Sequence, residues 1–219
     1  ACMSVCPTNA VKTIVCIDSC VSVIDEKLCI KCNKCEKICP QNHPVEKIKP
    51  FIWYQGWAND KKIRMEGSSG GIATAIASSF VNNGGSCCSC VFENGNFVFK
   101  FASNSEEVKR FSGSKYVKSN PQGIYNEIKK IINQGRKVLF IGLPCQVAAV
   151  KKIVGERKKE NLYTIDLICH GTPSPIMLDL FLKENGYDLN ELTDIKFRKK
   201  NNYYLSENYK GIKPSNVRD

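Results

Sequence analysis

The chain has 219 residues, 42% of them apolar and 24% charged, with 32 Lys and Arg against 21 Asp and Glu and a formal net charge of +11. This is the composition of an ordinary globular protein of about one to two domains, and no apolar run approaches the roughly 20 residues of a membrane span, which excludes an integral helical membrane protein. Thirteen cysteines with no visible apolar export segment exclude a secreted disulfide scaffold and point to metal chemistry in a reducing compartment, so the expected location is cytoplasmic.

In chain order, Cys2-Met3-Ser4-Val5-Cys6-Pro7 comes first, a Cys-x-x-x-Cys-Pro half-motif. Residues 11–24 are rich in β-branched side chains around Asp18-Ser19 and predict a hairpin, with Cys16 and Cys20 as packed strand thiols or, alternatively, additional ligands. Then Cys29-Ile30-Lys31-Cys32-Asn33-Lys34-Cys35-Glu36-Lys37-Ile38-Cys39-Pro40 carries the spacing of a bacterial-type 4Fe–4S motif, in which the fourth cysteine ligates the other cluster of a two-cluster ferredoxin. The crossed wiring assigns Cys6, Cys29, Cys32 and Cys35 to one complete cluster and leaves Cys2 and Cys39 for a second, half-liganded one. Structural zinc is the competing reading, but it uses two Cys-x-x-Cys pairs separated by a longer loop.

A Pro-punctuated connector over 41–50 divides a ferredoxin-type module, residues 1–47, from a second domain, residues 48–219. There the pattern predicts a strand over 52–57, an Ala-rich helix over 70–81 and a hairpin of strands 87–92 and 96–101. A helix opens at Pro121 and ends at Gly135. A βαβ unit follows, with an apolar strand over 138–142, a helix over 146–154 and a buried strand over 162–168; Ser174-Pro175 caps a last helix to Asn185-Gly186. The fold class is α+β to α/β, a ferredoxin-like 4Fe–4S module followed by an α/β domain with a mixed, partly parallel sheet.

Ligands of open parallel sheets bind beyond the carboxyl ends of the strands. Cys145 follows the first strand of the βαβ unit at a helix N-terminus, where the dipole favours a thiolate, and Cys169-His170 follows the second. Both thiols are therefore expected at one rim, either lining a site or packed beneath it. Gly67-Ser68-Ser69-Gly70-Gly71 leads into a helix and offers N–H groups and hydroxyls to a phosphate, without the Lys-Ser/Thr of a P-loop. Ser112-Gly113-Ser114-Lys115-Tyr116 offers a lysine and hydroxyls in the same way.

With these segments, Phe140-Ile141-Gly142-Leu143-Pro144-Cys145-Gln146 and Asp166-Leu167-Ile168-Cys169-His170-Gly171-Thr172-Pro173-Ser174-Pro175, in this order behind a ferredoxin module, the chain resembles the coenzyme F-420 hydrogenase/dehydrogenase beta subunit family. The resemblance implies 4Fe–4S clusters, a flavin (FAD or FMN), and electron flow between a reduced deazaflavin-like cofactor and one-electron carriers or a partner redox subunit. It further implies that Gly67, Ser68, Ser69, Gly70, Gly71, Ser114, Lys115, Tyr116, Pro144 and Gln146 bind the cofactor, and that Cys145, Cys169 and His170 face flavin, substrate or a further cluster. Against the family pattern, the chain begins inside the first cluster motif and stops soon after Phe197-Arg198, and Leu143 stands where a small or hydroxylated residue is commoner.

The net charge counts every thiol as neutral; one or two thiolate-ligated clusters lower it to about +9 or +7. The lysines fall in scattered pairs such as Lys61-Lys62 and Lys129-Lys130, without clustered arginines and interleaved aromatics, so no nucleic-acid partner is expected. They read as solvated faces or as a docking surface for an acidic electron carrier or polyanionic cofactor. The expected function is an iron–sulfur flavoprotein oxidoreductase; the alternatives are an electron-transfer subunit without its own substrate and a zinc-bearing nucleic-acid binder.

Overall fold

The computed structural model describes residues 1–46, 48–199, 202–209 and 215–217. The N-terminal module contains α1 (Cys2–Val5), the hairpin β1 (Val11–Val15) and β2 (Cys20–Ile24), and α2 (Lys34–Ile38). Then come α3 (Lys61–Glu66), α4 (Ile72–Asn82), β3 (Ser86–Glu93), β4 (Asn96–Ala102), α5 (Ser105–Lys109), α6 (Ile124–Asn133), β5 (Val138–Gly142), α7 (Pro144–Val154), β6 (Leu162–Asp166) and α8 (Pro175–Glu184). A second sheet closes the chain, with β7 (Leu192–Lys199), β8 (Asn202–Tyr209) and β9 (Ser215–Val217) all antiparallel.

The main sheet has the order β4-β3-β5-β6. β5 pairs parallel with β3 on one side and with β6 on the other, while β3 and β4 form an antiparallel hairpin, so the sheet is mixed and partly parallel as the pattern predicts. Every residue of β5 is buried. Its two-residue period sends Val138 and Phe140 to one face, against Ile128, Ile132, Val147 and Val150 of α6 and α7. Leu139 and Ile141 go to the other, against Ala77 and Val81 of α4 and Val108 of α5. A third cluster joins Phe97 to Leu178, Leu182, Leu192 and Ile195, and fixes α8 and the second sheet to the hairpin.

The N-terminal module sits on the α6/α7 face. Ala1, Val5 and Ile38 pack against that core, and the Asn126 amide donates to the Ser4 carbonyl at 3.0 Å. Its own hairpin is barely covered. Only Val11 of the two strands is buried, and Ile14, Val21, Val23 and Ile24 are exposed. Cys16 and Cys20 are therefore half-buried and not the packed strand thiols expected from the sequence.

Several other expectations are corrected. Residues 52–57 form no strand: Phe51, Trp53 and Tyr54 are 96%, 84% and 88% exposed in an extended segment. Aromatic β-propensity reflects a half-buried pleated surface, and among the described residues no strand pairs with this segment to supply one. β6 ends at Asp166 instead of Ile168 and is a sheet edge, half-exposed in place of the buried strand predicted; Ile168 is 92% exposed. The helix expected at Pro121 starts at Ile124, because Pro121-Gln122 make a turn and Gly123 has φ of 82°. α7 starts two residues early, with Pro144 in the first turn where a missing N–H costs nothing. Among the described residues, no helix is long and apolar enough to cross a membrane.

Cys87 and Cys88 of β3 are completely buried. Burial pushes the Cys87 thiol up to about 12 from an ordinary 9.0. Between those values the unfolded chain releases a proton that the folded chain retains, so this thiol's contribution to stability is complete below about pH 9 and is lost as pH rises toward 12. In chemical denaturation above pH 9, Cys87→Ala is expected to show a shallower fall of stability with pH than the unaltered chain; parallel slopes refute the assignment.

Candidate functional site

The cluster motif folds as a tight loop running into a short helix. Lys31 and Asn33, with φ of 55° and 57°, place left-handed residues on either side of Cys32 and coil the backbone about it. Cys35 lies on α2 and Cys39 ends it, while α1 carries Cys2 and is followed by Cys6. The Cys29 N–H donates to the Asp25 carbonyl at 3.0 Å, and the Asp25 N–H to the Ala10 carbonyl at 2.8 Å, which ties the loop to the hairpin. The Ala10 N–H donates to Cys6 Sγ at 3.2 Å, and the Thr8 hydroxyl, 3.7 Å from the same sulfur, is foremost in holding this thiol below its ordinary range. A thiolate accepting such bonds suits a cluster ligand. Among the described residues, no three His, Cys, Asp or Glu side chains form a group that could hold a single metal ion.

The second site is a cavity of about 310 Å³ on the α4 face of the main sheet, lined by residues 67–74, Ala77, Gly113, Ser114 and, at the carboxyl ends of β5 and β6, Ile141 and Leu167. It lies where the strand-end rule places a ligand. The two glycine- and serine-containing loops meet here, since the Ser114 N–H donates to the Ser68 hydroxyl at 2.8 Å. The glycines of 67–71 are explained by the chain's own close approach. A Cβ on Gly70 would stand 3.2 Å from the Gly56 carbonyl and from Trp57 Cβ, and one on Gly71, whose φ is +74°, 2.8 Å from the Ile63 carbonyl. Gly71 caps α4 without a side chain, so the first N–H groups of this eleven-residue helix are left beside the cavity.

Other sequence-predicted residues lie elsewhere. Lys115 turns its ammonium onto the carbonyls of Phe111, Ser112 and Gly113 at 3.3, 3.2 and 3.1 Å, and burial lowers its pKa. It lines a separate cavity of about 170 Å³ with Arg110, Asp194 and Lys196. Tyr116 is exposed and meets the Phe197 ring edge-on at 5.9 Å. Gln146 is buried within α7's first turn: Oε1 accepts the Leu143 N–H at 2.9 Å and Nε2 donates to the Ser119 hydroxyl at 3.0 Å. This reach-back does the capping that Leu143 itself cannot do.

Cys145 and Cys169 follow neighbouring parallel strands, in register at Gly142 and Asp166, and both are exposed. Neither lines the cavity at 67–74. Cys145 is in the first turn of α7, whose Val147 and Val150 pack on the other face of the sheet with Tyr125; burial pushes the Tyr125 phenol's pKa up. Cys169 accepts the Gly171 N–H at 3.4 Å, and His170 beside it is exposed. What the sequence did not mark is the pairing of Ser68 with Ser114, whose only signal was two serine-glycine segments 46 residues apart.

Comparison with known proteins follows this division. Residues 53–122 match the family model for the coenzyme F420 hydrogenase/dehydrogenase beta subunit N-terminal region, residues 135–218 that for its C terminus, and residues 22–42 a 4Fe–4S binding domain. The chain belongs to the coenzyme F420 hydrogenase/dehydrogenase beta subunit family and carries a 4Fe–4S binding domain. Its fold is similar to a chain of the F420-reducing [NiFe] hydrogenase complex from Methanosarcina barkeri, at 20% identity and a TM-score of 0.54. The similarity covers 74% of this chain and 58% of the hydrogenase chain, so the present chain spans little more than half of its counterpart. Among curated protein sequences, none gives a significant match.

If Gln146 works as a buried cap, Gln146→Ala leaves the Leu143 N–H without its side-chain acceptor, removes a donor from the Ser119 hydroxyl and lowers stability by about 1–3 kcal/mol. Chemical denaturation of the ligand-free chain measures this; unchanged stability would leave Gln146 free for a ligand.

Proposed function

We propose that this chain is the electron-transferring part of an iron–sulfur flavoprotein oxidoreductase, working with a partner redox subunit and taking electrons from a reduced deazaflavin-type cofactor. The observation that carries the reading is the cavity between 67–74 and Ser114 at the strand ends, in one chain with the four-cysteine motif. A flavin bound there supplies the change from two-electron to one-electron transfer, and a 4Fe–4S cluster the one-electron outlet.

The cavity fits part of such a ligand. Its volume is at the lower end for small-molecule pockets, so it suits a ring or a phosphate arm and not a whole dinucleotide. The N–H groups at the start of α4 suit a phosphate or an electron-rich ring edge, while Ala77, Phe111, Ile141 and Leu167 supply apolar walls that exclude water. Lys115 shapes the neighbouring loop by gathering three carbonyls, and Ser68 latches that loop to α4. Cys6, Cys29, Cys32 and Cys35 would hold the cluster, and the Ala10 N–H stabilises the Cys6 thiolate. Cys145 is in the first turn of α7, the helix that packs on the sheet face carrying the cluster module, which favours a role between the two centres over one in the cavity.

Two experiments test this. Anaerobic reconstitution is expected to give about four iron and four sulfide per chain, with loss of the cluster absorbance in Cys32→Ala; an undiminished signal refutes the ligand set. Flavin titration is expected to weaken about tenfold or more in Gly70→Val, whose side chain displaces residues 56–57, with cluster content unaltered. Equal flavin affinity in the variant would move the flavin site elsewhere.

A further inference from the structure

We propose that the surface around Cys32 is a docking site for a soluble, acidic one-electron carrier protein, a reading that rests on the cluster assignment above. Cys32 is the exposed member of the predicted ligand set, and the others are half-buried. Beside it, Leu28 and Ile30 are 46% and 63% exposed, an apolar centre that nothing in the module covers. Lys27, Lys31, Lys34 and Lys37 flank these residues along the motif, all exposed, and among the described residues none of these four is in an ion pair. Of the acids nearby, Glu36 is engaged by His43 at 2.9 Å, Asp25 accepts the Lys27 N–H at 3.0 Å and Glu26 is exposed, so the four lysines exceed the three carboxylates by one.

An apolar centre with a charged rim is the anatomy of a protein interface, and charge at the rim sets the rate and orientation of encounter. Redox encounters are small and short-lived, which a patch of this extent fits. The sign of the rim selects an acidic partner. In the docked pair one electron leaves the cluster and one reduces the carrier, with no atom or proton transferred. The competing role for these lysines is to balance the charge of the cluster itself, and the test separates the two.

Binding of a plant-type [2Fe–2S] ferredoxin, acidic and used as the probe, is measured by calorimetry on the reconstituted, oxidised chain, without flavin or hydride donor. The dissociation constant is expected to rise about tenfold or more between roughly 20 and 200 mM salt. Lys27→Glu with Lys34→Glu is expected to raise it about tenfold or more at low salt, and Ile30→Ser a few-fold with the salt dependence kept. Lys129→Glu with Lys130→Glu, on exposed α6 positions, is expected to stay within about twofold. No binding at low salt, binding indifferent to salt, or equal weakening by the α6 pair overturns the proposal. So does an unchanged dissociation constant with a shifted cluster potential in Lys27→Glu/Lys34→Glu, which would leave the lysines balancing cluster charge alone. If that variant fails to load its cluster, the salt series on the unaltered chain decides. Failure of docking with iron and sulfide at the expected content spares the cluster reading, whereas absent iron refutes that reading itself.

Discussion

The parallel pairing of β5 between β3 and β6 is the constraint on which everything else in the second domain hangs. A five-residue strand buried on both faces must be flanked by strands and covered by helices, because its backbone groups have no other partners. The alternation along β5 then assigns each face a different layer. Val138 and Phe140 recruit α6 and α7, and through them the cluster module; Leu139 and Ile141 recruit α4, and with it the cavity. The two candidate redox centres therefore occupy opposite sides of one thin sheet.

That arrangement gives the exposed thiols after β5 and β6 a meaning that their proximity in sequence alone does not. Gly142 and Asp166 stand in register, and the Leu167 N–H donates to the Gly142 carbonyl at 2.9 Å, so the chain leaves both strands at the same height. From there the two paths diverge: Leu167 lines the cavity, while Cys145 enters α7, which packs on the other face.

Much of this was legible in the residues. The apolar run 138–142, the Asn94-Gly95 turn and the Ser174-Pro175 cap carry local signals strong enough to fix their elements, and the four-cysteine spacing fixes a chemistry irrespective of fold. The misreadings share a cause. Residues 52–57 and β6 have the composition of buried strands, but burial is decided by which neighbours the topology provides, and neither segment has a neighbour on both sides. Beyond Gly186 the alternating pattern is too weak to reveal the antiparallel sheet of β7 to β9. The site residues divide likewise: Lys115 and Gln146 match a family segment yet spend their polar atoms on the chain's own backbone and on Ser119, and only coordinates reveal such partners.

The uneven burial of the cysteines sets how this protein ages in air. Cys87 and Cys88 are sealed in the central sheet as neutral thiols, a form that resists attack by peroxide and disulfides. The motif cysteines sit in a thinly covered module that touches the sheet through Ala1, Val5, Ile38 and one hydrogen bond from Asn126. Oxidants therefore reach the exposed Cys32 and the half-buried motif cysteines more readily than the sealed pair in the sheet, whose packing does not depend on them.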